Sequence, residues 1–350
     1  MSQHPLRRLL EWLVPKLRTP LLTGVLLVNL ALHVGYLLPR ALSDYYPMAD
    51  ADVYAMAGRN VLARQPLYPL TPQGDPRTPD GGHLPFLYPP PFAALFAPVG
   101  ALSQPAAVRL LKVLTFLSLW AYAAALCKLA TSGVTWRGTL GAGAILTVTP
   151  GMHFNLISGQ VEPLLWLMLA LSLLTPATGV WLAASCLVKP FAAWPLALAA
   201  LRAPRRVLPQ AALTATLGLA FGALLCGFGA YAAWLHYTPE RMYRVIFFGE
   251  NISLGLLPLR VLGWQILPSW GRAFLMGLYV LGPGAAAWLT RQRSLPLQIA
   301  WVAAAAVLFA PFSRLYYLPI LLVPLALEVR EALAEHTPNN RGLGAPPPAG

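Results

Sequence analysis

Residues 20–42 read PLLTGVLLVNLALHVGYLLPRAL, an apolar run whose one charge, Arg40, stands near its end. About 20 apolar residues suffice to cross a bilayer as a helix. At that depth no water is available to the backbone, so its N–H and C=O groups must pair within the segment. Apolar stretches recur at about 88–102, 106–130, 138–155, 160–175, 179–201, 207–232, 270–290, 296–312 and 314–329. They are rich in Leu and Ala and lack the alternation of strands, so they are expected to be helices. The expectation is an all-α polytopic membrane protein with about ten transmembrane helices, and room for an eleventh, short and re-entrant, at 252–268.

Composition agrees. The 350 residues are 57% hydrophobic and 11% charged, with a mean hydropathy of +0.59. A soluble domain carries about a quarter charged residues. The formal charge of +13 does not imply a nucleic-acid partner, because the basic residues gather at span ends: Arg7, Arg8, Lys16 and Arg18, then Arg202, Arg205 and Arg206, then Arg291 and Arg293, then Arg330 and Arg341. This positive-inside pattern puts both termini in the cytoplasm of a multi-pass protein of the cell's inner or plasma membrane, in contact with anionic lipids. Residues 1–19 read as a cytoplasmic amphipathic segment without a cleavable signal. Residues 20–330 form the membrane domain, and 331–350 a disordered cytoplasmic tail. Two large loops, 43–86 and 233–269, fall outside. The three cysteines lie in apolar spans and carry no metal spacing.

The first outer loop holds five of the chain's twelve acidic residues: Asp44, Asp50, Asp52, Asp75 and Asp80. Val53, Ala57 and Val61 repeat at i+4, which predicts a short amphipathic helix on the membrane surface. Asp50 or Asp52 is the N-cap of that helix or a general base, which needs a carboxylate within reach of a substrate hydroxyl. An Asp-x-Asp pair can also hold a divalent cation, but no third ligand is in view, and no metal or other cofactor is assigned. In the second outer loop Arg241, Arg244, Glu250 and Asn251 are candidates, since arginine suits two-pronged phosphate recognition; an ordinary solvated face is the equal alternative. Within apolar segments, His153, Asn155, Gln160, Glu162, Lys189 and Arg314 are polar residues whose placement marks function as often as packing. Glu162 and Lys189 could simply pair. Walker, Rossmann, nucleophile-elbow and zinc-helix motifs are absent.

Several short elements occur in a telling order: Asp50-x-x-Val-Tyr54, Ala57-Gly58-Arg59-x-Val-Leu62, Pro66-Leu67-Tyr68 and Phe86-Leu87-Tyr88-Pro89-Pro90. Together they resemble the polyprenol-phosphate-mannose-dependent mannosyltransferases, a family of C-type membrane glycosyltransferases. Ser158-Gly159-Gln160-Val161-Glu162 is similar to that family's Gly-Gln-x-Asn element, with Glu162 in place of Asn. Leu187-Val188-Lys189-Pro190 resembles its Lys-Pro element, and Glu250-Asn251-Ile252-Ser253-Leu254 with Arg260 resembles its Asn-x-Ser-Leu and Arg element. The resemblance covers about residues 20–330. In Ala310-Pro311-Phe312-Ser313-Arg314-Leu315-Tyr316-Tyr317, Tyr316 stands where some members have histidine.

The resemblance implies a C-type arrangement of helices and a sugar transfer, with inversion, from a polyprenyl-phosphate donor to a hydroxyl of a lipid-linked or envelope glycan acceptor. Mannose is the expected sugar. It places the catalytic aspartate at Asp50, four residues before Tyr54, and leaves Asp52 as a second acid or helix cap. Arg244, Arg260, Arg314 and Lys189 become candidates for the donor phosphate, with Gln160, Asn251, Tyr54 and Tyr316 as further substrate contacts. Chemistry agrees with such roles: an inverting transfer needs a base on the acceptor side of the anomeric carbon, and cations aimed at the leaving phosphate stabilise its developing charge. The alternatives are a non-catalytic lipid or glycolipid carrier or flippase, and an envelope polymer ligase or polymerase.

Overall fold

A computed structural model of the chain describes residues 20–43, 50–68, 86–244, 246–247, 251–264 and 266–334. Among the described residues the regular structure is helical, apart from one isolated antiparallel bridge between Asn251 and Arg314. α1 (Pro20–Leu32) passes through a wide π-turn at His33–Leu37 into α2 (Leu38–Ser43). α3 is Asp50–Leu62, α4 Pro90–Leu95, α5 Ala97–Gly100 and α6 Gln104–Thr131. α7 (Trp136–Val148) and α8 (Met152–Ser158) meet at 89°. Then come α9 (Glu162–Leu174), α10 (Thr178–Val188), α11 (Ala193–Arg202), α12 (Pro204–Cys226), α13 (Gly229–Arg244) and α14 (Leu257–Val261). α15 (Gly271–Leu289), α16 (Leu295–Phe309) and α17 (Leu322–Ala334) close the chain.

Four helical runs are long and apolar enough to cross a membrane: Leu22–Ser43, Gln104–Thr131, Pro204–Cys226 and Gly271–Leu289. The bent pair α7–α8 makes a fifth if taken as one span, and α9, α10 and α16 are shorter apolar helices. The sequence pattern missed the breaks between them, and proline explains several. The stretch 88–102 is two helices of six and four residues, far short of a bilayer at 1.5 Å per residue, because Pro98 cannot donate to the preceding turn. The stretch 179–201 is interrupted at Lys189, whose extended backbone (φ −139°, ψ 125°) is the conformation that a following proline, here Pro190, imposes. The stretch 314–329 opens as a 3₁₀ turn at Leu315–Leu321, and α17 runs on to Ala334. Of residues 252–268 only α14 is helical among the described positions, and α13 fills the start of the second outer loop.

Packing centres on α6, α9, α16 and α17. α16 is apolar apart from Gln298, with Leu297, Ala300, Ala303, Ala304 and Ala306 fully buried, as expected of a helix enclosed by others. Tyr122 of α6 donates to the Pro319 carbonyl at 2.7 Å, tying the long helix to the 3₁₀ turn. The π-turn after α1 also turns a polar residue inward: His33 is buried, 2.5 Å from Thr147 Oγ1 and edge-on to Trp120.

α3 departs most from expectation. It begins at Asp50 rather than near Val53, and it does not rest one face on a surface. Ala51, Asp52, Val53, Tyr54, Ala55, Ala57, Gly58 and Val61 are all buried, because α4, α5 and α6 enclose it. The crossing with α5 relies on Gly58: a Cβ there would lie 2.0 Å from the Phe96 carbonyl oxygen, a backbone atom that cannot move aside. Gly58→Ala is therefore expected to cost about 1–3 kcal/mol as an overpacked contact and to lower the midpoint of heat unfolding in detergent; an unchanged midpoint would show that the crossing can open.

Candidate active site

The first turn of α3 is brought to a polar centre by the loop between α8 and α9. Gly159 occupies the left-handed region (φ +66°), and a Cβ there would stand 2.7 Å from that of Ala51, so glycine is required both for the turn and for the close approach. The turn places Gln160 beside α3. Its Nε2 donates to Asp50 Oδ2, and its Oε1 accepts from the Tyr54 hydroxyl at 3.4 Å. Tyr54 and Tyr88 share a hydrogen bond of 2.7 Å. From below, Thr115 Oγ1 of α6 donates to the Gln160 carbonyl at 3.0 Å. Gln160 is 1% exposed, so the residue that orients Asp50 is itself fixed.

Two cations, Lys189 and Arg314, act on Asp50. Lys189, at the proline break, pairs with Glu162 and donates to the Tyr317 hydroxyl at 2.9 Å. Its ammonium also lies over the rings of Tyr317 and Tyr88, at 4.4 and 5.1 Å, a favourable site for a cation. Arg314 is set by Asn251, whose Oδ1 accepts from the Ser253 and Ser313 N–H groups at 3.1 and 3.0 Å. The Asn251 Nδ2 donates to the Ile246 and Pro311 carbonyls at 2.8 and 2.9 Å. This side chain knots two segments of chain into the bridge at Arg314. Tyr316 stacks on Phe154 at 5.0 Å, and its carbonyl accepts from Asn155 Nδ2 at 3.2 Å.

The carboxyl of Asp50 is raised to about 7: burial pushes it up and Glu162 adds to that, while Lys189 and Arg314 pull it back. A carboxylate that accepts from Gln160 yet takes up a proton near neutrality has the property wanted of a general base.

The structure thus brings Asp50, Tyr54, Gln160, Lys189, Arg314 and Tyr316 to one centre. It separates Asp52 from them: that carboxylate is 1% exposed and accepts from Gln104 Nε2 of α6. Among the described residues no three His, Cys, Asp or Glu side chains are grouped as metal ligands. Asn251 uses both ends of its amide on the backbone. Arg260 lies half-buried on α14, and Arg244 ends α13 with its side chain outside the described residues, as are the Arg241 side chain and Glu250. Sequence reasoning left Tyr88, Tyr317 and Thr115 out of the site, whereas Glu162 was among its candidates as a possible partner of Lys189. Tyr88 stood inside a quoted motif, and Tyr317 was visible as the partner of Tyr316. Thr115 gave no signal, because a helical threonine commonly bonds its own backbone, as this one also does with Leu111.

A family model for glycosyltransferase family 87 matches residues 86–318. No curated protein and no solved structure matches the chain. Tyr88, Gln160, Glu162, Lys189, Arg314, Tyr316 and Tyr317 all fall inside the matched stretch, whereas Asp50 precedes it and joins the centre through Gln160.

Proposed function

Because this chain belongs to glycosyltransferase family 87, we propose that it moves a hexose from a polyprenyl phosphate to a hydroxyl of a lipid-linked or envelope glycan acceptor. Asp50 is the general base and configuration inverts. Mannose is the sugar that the sequence resemblance favours. The observation that carries this reading is a buried centre in which two cations, Lys189 and Arg314, act on Asp50 while Lys189 is also paired with Glu162.

The reaction balances on these groups. Asp50 takes the proton of the acceptor hydroxyl as its oxygen bonds to the anomeric carbon. The bond from that carbon to the phosphate oxygen breaks, and its electron pair stays on the phosphate. The donor diester, with one negative charge, leaves as a monoester with two, while Asp50 becomes neutral. Lys189 and Arg314 stabilise the charge that develops on the leaving group, and no strong acid is needed. The aromatic rings of Tyr88, Tyr316 and Tyr317 line the same centre. In this reading the chain is a multi-pass protein of the cell's inner or plasma membrane with a C-type arrangement, keeps both termini in the cytoplasm and works at the outer face.

The test is to supply purified protein, in detergent or nanodiscs, with a polyprenyl-phosphate hexose and a membrane glycolipid extract, and to follow products by mass spectrometry. A new glycosylated lipid with release of polyprenyl phosphate is expected. A carrier or flippase would leave the donor intact, and that outcome would sink the reading.

A further inference from the structure

Glu162 is the residue that the site does not explain. It is 2% exposed, and it begins α9, two residues after the glutamine that orients Asp50. One oxygen, Oε1, is held by Lys189, but Oε2 is buried and makes no hydrogen bond among the described residues. A carboxylate paired on one side only is a costly thing to bury. If its sole task were to neutralise Lys189, the hydroxyl and the two rings already around that ammonium would lessen the need.

We propose that Glu162 is a positioning residue for the transfer: anchored by Lys189 and two residues beyond the glutamine that orients Asp50, it holds a second negative charge in the centre and acts through Asp50 on the acceptor's proton. The inference rests on the reading of Asp50 as the base. The groups acting on Asp50 are Tyr54 on its own helix, Glu162 of α9, Lys189 at the break after α10, Tyr88 before α4, and Arg314 and Tyr316 before α17; Asp52, Lys112 and Tyr317 are the further ionisable groups of the elements around it. Tyr54, Tyr88, Tyr316 and Tyr317 are neutral near pH 7, with hydroxyls in low-dielectric surroundings. Lys112 donates to the Ala41 carbonyl at 2.7 Å, and Asp52 is turned to Gln104. Of the charges acting on Asp50, Glu162 opposes its ionisation, whereas Lys189 and Arg314 favour it. Without Glu162 only burial would stand against the two cations, and Asp50 would be a weaker base. The pattern fits the chemistry: a base is most effective when its conjugate acid titrates near the working pH, and Gln160 alone cannot supply that, because a donated hydrogen bond favours the charged form.

The test is Glu162→Gln, which keeps shape and an acceptor for Lys189 but removes the charge. Its kcat/KM should keep an acid limb, displaced to lower pH by about one unit, with plateau turnover reduced by no more than about tenfold. Glu162→Asp keeps the charge and should return the limb toward that of the wild type. A second readout needs no substrate: the pH dependence of heat unfolding, taken as wild type minus Asp50→Asn. The folded chain holds the Asp50 proton up to about pH 7 against an ordinary value of 3.8, so the Asp50-dependent stability falls as pH rises through that window. In a Glu162→Gln background the fall should end at lower pH. An unmoved acid limb together with an unmoved fall would overturn the proposal, as would a Glu162→Gln chain that cannot be purified folded, since that would make Glu162 structural. If wild-type protein makes no product, the transferase reading fails, and the unfolding curves still decide the role of Glu162.

Discussion

Asp50→Asn is expected to lower turnover by about 10²–10⁴-fold, the range associated with a positioned proton acceptor, while donor binding persists. The isostere retains an oxygen for the Gln160 Nε2 and leaves the first turn of α3 in place, so the loss would be one of chemistry. Two accompanying results separate it from simple damage. First, wild-type kcat/KM should climb with pH through about 7 and then level, because only the ionised Asp50 accepts a proton; the residual rate of the variant should lack that step. Second, asparagine resembles the protonated acid, which is the form the folded state prefers below about pH 7. The sign follows: an acid raised above its ordinary value makes the native state bind more protons than the unfolded one, so stability falls with rising pH across the window. Asp50→Asn should therefore be no less heat-stable than wild type above pH 7. Transfer at close to the wild-type rate would exclude Asp50 as the base.

Asp50 stood out in the sequence because its surroundings are local: an acid just past an apolar run, four residues before a tyrosine, with helical spacing beyond; the structure sets it against Gln160. The long helices were legible for the same reason, since crossing a bilayer needs only length and apolarity, and Leu22–Ser43, Gln104–Thr131, Pro204–Cys226 and Gly271–Leu289 have both. Breaks were not, because hydropathy continues through Phe96, Gly151 and Lys189 while the backbone does not. The cost of missing them is functional. Lys189 belongs to the centre because Pro190 forces it out of the helix, and Gln160 belongs because Gly159 turns the chain against Ala51. Asn251 illustrates the opposite limit. A buried amide in a polar loop reads as a substrate contact, yet its bonds run to carbonyls and N–H groups 60 and 62 residues away, which a single sequence does not reveal. α3 was misjudged as a surface helix because alternative faces of Ala and Gly look unemployed until α5 is seen to cross at Gly58.

Lys189→Met should give the second large effect, and it should do so twice over. Removing one partner of a buried ion pair leaves the other uncompensated, at a cost of about 3–5 kcal/mol. The Lys189 side chain is 15% exposed and that of Glu162 2%, so water offers little relief. The single variant is expected to unfold at markedly lower temperature and to be inactive. That alone would not distinguish a phosphate ligand from a structural cation. Adding Glu162→Gln removes the stranded charge, and Lys189→Met/Glu162→Gln should recover most of the lost stability. Methionine keeps the apolar contact with the Tyr88 and Tyr317 rings but offers nothing to a phosphate. If Lys189 holds the leaving group, the double variant stays folded while turnover remains about 10²–10³-fold down, the loss expected when a preorganised charge at a developing anion is deleted. If instead turnover returns with stability, Lys189 serves only to neutralise Glu162, and Arg314 becomes the cation that receives the phosphate. The single and double variants together assign the centre's positive charge, because folding and chemistry respond to different halves of the same pair.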